Sequence, residues 1–409
     1  MRFLFYSHDG LGLGHTRRHL GVAAALTELA PQASILLVTG AEEVTQLGLG
    51  AHIEVLKLPG LRKIADGKYA SRRLDIPSRE IRALRAALLL AAVKSFRPNV
   101  TLVDKHPFGA GGEFHKGLKA LRKLGGRAVL GLRDILDEPA HVLAEWRPYR
   151  MQHRIAEHYD QVLIYGDRVV FDPVSAYAFP TSLAEKTRFC GYVLNRADPE
   201  GLANFQWPFP SRKTRTRPVV LATAGGGEDG YCMLEIFIRA AAAAPWHGVA
   251  IAGPMTPPAE LKQLQELAAE CGVTLRTFVP HLSALFGELD ALVSMGGYNT
   301  LVESVAAGVP TVCIPRVEPR SEQLIRARAF AQLGLVQICP PDRLNPPALR
   351  EQIGTALTTP ASFIKTRAQT ALTFEGGKRA AQCLLSLARL KPDNIQRTEE
   401  TFAPAAVEV

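Results

Sequence analysis

Cysteine is sparse in this chain of 409 residues: there are six (Cys190, Cys232, Cys271, Cys313, Cys339 and Cys383), all in the second half, 26 to 44 positions apart and never in a C-x-x-C pair. A disulfide-stapled secreted scaffold is excluded, and the thiols read as reduced and mostly buried in a cytosolic protein. Long apolar runs are also missing. Ala86–Val93 stops far short of the roughly 20 residues that cross a bilayer, which allows contact with a membrane surface but no span. Met1–Ser7 is apolar but gives way at once to a polar glycine loop, so no export signal is expected. Aromatic residues make up 7% of the chain and do not alternate with the basic ones, so nucleic acid is not expected as a partner.

What is present builds cores. Hydrophobic residues account for 47% and charged ones for 21%, in 44.4 kDa, which is enough chain for two domains. The net charge of +9 is unevenly spread: Arg62–Arg85 holds eight basic residues (Arg62, Lys63, Lys68, Arg72, Arg73, Arg79, Arg82, Arg85) against three acids (Asp66, Asp75, Glu80). Such a patch suits an anionic membrane surface or a phosphorylated substrate, and a solvated helix face is the plainer alternative.

Short β-branched runs alternate with helical stretches twice along the chain, the pattern of parallel α/β units. The first half predicts strands at Arg2–Ser7, Ser34–Thr39, His52–Leu58, Asn99–Asp104, Arg127–Leu132 and Gln161–Tyr165, with helices such as His15–Ala30 and Ser78–Phe96 between them. The second half predicts strands at Pro218–Ala224, Gly248–Ala252, Thr274–Phe278, Ala291–Ser294 and Thr311–Pro315. The fold class that follows is α/β, two doubly wound Rossmann-like domains facing across a cleft: residues 1–196, a proline- and charge-rich linker at 197–217, and residues 218–390, whose last helix is free to pack back on the first domain. Residues 391–409 lack periodicity and read as a disordered tail.

Three motifs follow strands, where ligands of open α/β sheets bind. His8-Asp9-Gly10-Leu11-Gly12-Leu13-Gly14-His15 opens the first helix, and its glycines permit a tight turn and close approach of a ligand. It fails the G-x-G-x-x-G spacing, and no acid ends the second strand, so a dinucleotide site is not expected. His15 at a helix N-terminus is held neutral by the dipole and suits a base, with His8 and Asp9 as rivals; capping the helix is the structural alternative. Gly225-Gly226-Gly227 ends the first strand of the second domain and frees consecutive N–H groups to face an anion. Ser294–Pro310 carries Gly296, Gly297, Tyr298, Asn299, Thr300 and Glu303: a strand, a two-glycine turn, then a helix stopped by Gly308 and Pro310. Asn299 and Glu303 share one face of that helix, with Glu303 placed to accept two ribose hydroxyls.

The Ser294–Pro310 segment, with Phe278–Phe286 before it and Arg320–Gln323 after it, resembles the donor-binding half of GT-B glycosyltransferases, and among them the MurG-like enzymes of family 28. The glycine loop ending in His15 is similar to that of the family's N-terminal domain. The resemblance implies an inverting transferase that moves a sugar from a nucleotide diphosphate sugar, UDP-linked in most of the family, without a bound metal or other cofactor. It implies that Gly225–Gly227 and Tyr298–Thr300 hold the diphosphate, that Glu303 binds the ribose, that Phe278 and Val279 meet the base with their backbone, and that Glu322 and Gln323 contact the sugar. No D-x-D motif or metal-spaced cluster stands in the chain. On the acceptor side, Gly12, Gly14, His106, Arg133 and Asp134 are the expected residues, with a glycan or lipid-linked acceptor. The enzyme would be cytoplasmic, peripheral on an anionic membrane, and would serve cell-envelope or polysaccharide synthesis. The sequence departs from the family at Glu322, where Gln is common, and in the His8-Asp9 and Arg17-Arg18 pairs. A non-hydrolysing nucleotide-sugar epimerase and a non-catalytic nucleotide or phosphosugar sensor are the alternatives on the same fold.

Overall fold

In the computed structural model, the described residues are 1–8, 14–41, 44, 49–65, 68–195, 207–279 and 281–390. Strands rich in Val, Leu and Ile are buried on both faces, as β6 and β10 show along their whole length, and this is what a parallel sheet covered by helices requires. In chain order the strands are β1 (Arg2–Tyr6), β2 (Ser34–Thr39), β3 (Ile53–Lys57), β4 (Leu61–Ala65), β5 (Lys68–Ser71), β6 (Val100–Asp104), β7 (Arg127–Arg133), β8 (Gln161–Tyr165) and β9 (Thr187–Phe189) in the first lobe. The second lobe holds β10 (Val219–Thr223), β11 (His247–Ile251), β12 (Thr274–Arg276), β13 (Ala291–Ser294), β14 (Thr311–Cys313) and β15 (Gln337–Ile338).

The first sheet runs β3-β2-β1-β6-β7-β8-β9 and the second β12-β11-β10-β13-β14-β15, with every pairing parallel. Both reverse direction of strand order beside their first strand. That puts the loops after β1 and β6 in one sheet, and after β10 and β13 in the other, at the switch points where a ligand fits. The expected strands are all present to within two residues; those expected to reach Phe278 and Pro315 end two residues short, at Arg276 and Cys313. Unexpected are the short edge strands β9 and β15 and the antiparallel hairpin β4–β5.

That hairpin and the helix Ser78–Phe96 correct the reading of Arg62–Arg85 as one surface patch. Arg85 is fully buried, its guanidinium paired with both carboxylate oxygens of Glu113 at 2.7 Å and with the Pro59 carbonyl at 2.6 Å. A cation withdrawn from water needs such partners, and here it ties the helix to the loop after β6. The apolar run that follows serves the core, since Leu89 and Val93 are fully buried, while Leu84 remains exposed. Among the described residues no helix is long and apolar enough to cross a membrane.

The two lobes share a core. The last helix, Gly376–Arg389, leaves the second lobe and lies along the first helix, Gly14–Leu29, so that Ala380, Ala381, Leu384 and Leu385 pack with Val22, Ala23 and Leu26. Glycines allow the approach: a Cβ on Gly377 would stand 3.0 Å from the Gly21 carbonyl, and one on Gly376 would stand 2.5 Å from that of Gly191. Of the stretch expected as a linker, residues 197–206 lie outside the described residues. From Trp207 on it is anchored to the second lobe, where Trp207 and Phe209 pack on the core and Arg212 and Arg215 bind Asp290. The expected tail, 391–409, also lies outside the described residues.

Candidate active site

Between the lobes lies a cavity of about 600 Å³. From the first lobe it is lined by Gly14, His15, Arg17, Arg18, Arg133 and Asn195, among others; from the second, by Gly225, Gly226, Phe278, Val279, Gly297, Tyr298, Asn299, Thr300 and Glu303. An adjoining recess of about 180 Å³ adds Gly227, Asp229 and Gln323.

The second-lobe wall is built for an anion. The turn after β10 has Gly225 at φ 67° and Gly227 at φ 99°, and a Cβ on Gly227 would stand 2.4 Å from the Thr256 hydroxyl, so only glycine closes it. The helix Tyr298–Ala307 begins at Gly297, which has no side chain to cap it, and its first N–H groups and dipole open on the cavity. Two turns of sequence pattern later, Glu303 is buried but reaches the cavity, where its Oε1 accepts from Arg17 Nη2 and from Asn195 Nδ2, both at 2.9 Å. Asn299 Nδ2 donates to the Gly14 carbonyl at 3.4 Å, a further bond across the cleft.

The first-lobe wall carries a histidine and an acid. His15 Nδ1 meets Asp104 Oδ2, and Arg18 Nη2 donates to the same oxygen at 2.6 Å. Burial works to raise the Asp104 pKa, but the Arg18 guanidinium and His15 outweigh it and hold the carboxyl well below the usual range. With Nδ1 committed to an ionised Asp104, the nitrogen of His15 available for proton transfer is Nε2. His8 stands edge-on to His106 at 4.1 Å between ring centroids and 5.6 Å from His15. Burial and the neighbouring His106 and His15 hold His8 well below the ordinary imidazole range; burial, Lys105 and His15 do the same to His106. Lys105, forced to φ 61°, is pushed down to about 7 by burial and by Arg133 and Arg320.

Several expected residues stand elsewhere. Asp134 binds no acceptor: it is fully buried, and Arg326 from the second lobe donates to its two oxygens at 2.9 and 2.7 Å. Glu322 is buried outside both cavities, its Oε1 taken by Arg316 Nη2 at 2.8 Å, so the charge expected beside the sugar is already neutralised. Gly296 serves close packing instead of binding, because a Cβ there would stand 2.6 Å from the Gln323 carbonyl. Tyr298 lines the cavity, but its hydroxyl is turned inward to accept from the Val193 N–H at 3.2 Å. Gln323 reaches the recess while its Oε1 accepts from the Arg316 N–H at 3.2 Å. Asp9 and Gly12 lie outside the described residues. Asp104, Arg17, Arg18 and Asn195 are the additions; of these only Asp104 carried a sequence signal, an acid at the carboxyl end of a predicted strand.

Two parallel sheets with their carboxyl edges facing across one cavity define a protein of the GT-B fold. A solved structure of CalG4, the calicheamicin glycosyltransferase, is similar over 96% of this chain and 99% of that one, with a TM-score of 0.60 at 19% identity. Residues 250–382 match the glycosyltransferase family 28 C-terminal domain. By fold the chain is thus of the GT-B type, and its second lobe is similar to the family 28 C-terminal domain. The NDP-glycosyltransferase YjiC of Bacillus subtilis is 25% identical over 228 residues, 55% of this chain and 54% of the relative. The UDP-N-acetylglucosamine–N-acetylmuramyl-(pentapeptide) pyrophosphoryl-undecaprenol N-acetylglucosamine transferase of Synechococcus elongatus is 27% identical over 185 residues, 42% of this chain and 49% of the relative. The chain spans about half the length of these curated relatives.

Proposed function

We propose that the chain transfers a sugar, with inversion and without a metal ion, from a UDP-linked donor to the hydroxyl of a glycan or lipid-linked acceptor. The acceptor oxygen attacks the anomeric carbon while its proton passes to His15 Nε2. The bond from that carbon to the diphosphate breaks, and the leaving charge falls on the N–H groups of Gly225–Gly227 and the Tyr298 helix start. Phe278 and Val279 meet the base, Glu303 the ribose and Gln323 the sugar. Gly14, His106 and Arg133 face the acceptor. The observation that carries this reading is that His15, backed by Asp104, and the uncapped helix bearing Glu303 line one cavity. The relatives' names support the donor class, and the Synechococcus enzyme's name also supports a lipid-linked acceptor.

Calorimetric titration of UDP, GDP, dTDP and ADP tests it. One nucleotide, UDP on this reading, binds to the wild type, and Glu303→Ala weakens it about 10- to 100-fold, the worth of hydrogen bonds to a charged group. Failure of all four to bind removes the transferase reading and advances the sensor.

A further inference from the structure

β6 and β7 are neighbours in the first sheet, and the Lys105 N–H donates to the Gly131 carbonyl at 2.8 Å, so Lys105 and Arg133 emerge at the same sheet edge. Arg133 lines the cavity beside His15, and its Nε is buried without a partner. The acids nearby are all engaged: Asp104 by Arg18 and His15, Asp134 by Arg326, Glu322 by Arg316, and Asp137 by His141 and the Ser321 N–H. Neither the Lys105 ammonium nor the Arg133 guanidinium has a hydrogen bond or ion pair with another described residue. Two half-buried cations at one sheet edge, with Glu322 an attractive charge for both but already paired with Arg316, are costly to keep unless a ligand supplies further negative charge.

We infer that the acceptor carries an oxyanion, a carboxylate or a phosphate, and that Lys105 and Arg133 seat it beside His15. The word acceptor rests on the transfer reading proposed above; the anion site does not. The site is first-lobe in origin, whereas the glycines and helix start that face the donor diphosphate line the same cavity from the second lobe. Burial lowers the Lys105 and Arg133 pKa values; Arg133 and Arg320 add to it at Lys105, Arg326 and Arg18 at Arg133, and Glu322 opposes it at both, which leaves an excess of positive charge.

The test is calorimetric titration of sulfate and of acetate into the full chain saturated with UDP. Wild type binds at least one of them, and whether sulfate or acetate binds more tightly tells phosphate from carboxylate. Lys105→Asn, chosen because asparagine tolerates the left-handed backbone, and Arg133→Met each weaken that binding about tenfold or more, while Arg133→Lys keeps most of it. Sulfate does not titrate, so its affinity is greatest below pH 7 and declines towards pH 9 as Lys105 loses its proton; Asp104, His106, Arg133, Arg320 and Glu322 are the charged and titratable groups that face it. No binding, binding unchanged in both variants, or affinity flat across this range overturns the inference. So does sulfate displaced by UDP with UDP binding itself weakened in Arg133→Met, which assigns the cations to the donor. If UDP fails to bind, the transfer reading falls, and titration of the nucleotide-free chain with the same variants still decides the anion site.

Discussion

His15→Ala lowers the turnover of a nucleotide sugar by about two to four powers of ten and leaves UDP affinity near that of the wild type, the signature of a lost general base. The expectation follows from geometry. An imidazole that gives its Nδ1 hydrogen to an ionised carboxylate has Nε2 as the nitrogen that can take the acceptor's proton, and His15 lines the cavity together with the helix expected to hold the leaving group. Asp104→Asn separates orientation from basicity. The asparagine oxygen can take the place of Oδ2 and still accept from Arg18 and from Nδ1–H, so the ring keeps its place while the charge that stabilises the imidazolium is gone. Its loss of turnover is therefore smaller than that of His15→Ala. Steady-state kinetics with one accepted acceptor decide the matter. A His15→Ala enzyme within about tenfold of wild type would move the base to His8 or His106, the other rings of the cluster.

Arg326→Met is expected to destabilise the chain by about 3–5 kcal/mol, because it leaves the fully buried Asp134 carboxylate without its partner. The same guanidinium donates to the Gly296 carbonyl at 2.7 Å, so the turn that starts the Tyr298 helix also loosens and UDP binds more weakly. Urea unfolding measures the first effect and calorimetry the second. Arg326→Met combined with Asp134→Leu recovers most of the stability, since a buried pair replaced by apolar groups is often neutral. If the single variant lost less than about 1 kcal/mol, the pair would be behaving like an exposed one.

What was legible beforehand was local. Strand and helix periodicity, the glycine turns after β10 and β13, and the run from Ser294 to Pro310 all encode their structure within a few residues, and they point to the cavity that is there. Asp104 meets His15 across 89 positions, Arg326 meets Asp134 across 192, and Arg17 meets Glu303 across 286; no periodicity reports such partners. The misreadings share one cause. In sequence Asp134, Glu322 and Arg85 read as available because charged residues are usually solvated, yet each is buried against a counter-charge. The hairpin β4–β5 was hidden by composition, since its basic residues masked the antiparallel pairing.

The return of Gly376–Arg389 to the first helix has a consequence for the order of biosynthesis. The apolar stripe of the first helix, Val22, Ala23 and Leu26, is made before the second lobe, but its covering partner is made after it. The amino-terminal half therefore cannot finish its core as it is synthesised, and waits half-assembled for the whole of the other lobe. A gene split at the cleft would not yield two independent modules, and trimming the chain ahead of Gly376 would strip the lobe that lies farthest away in sequence.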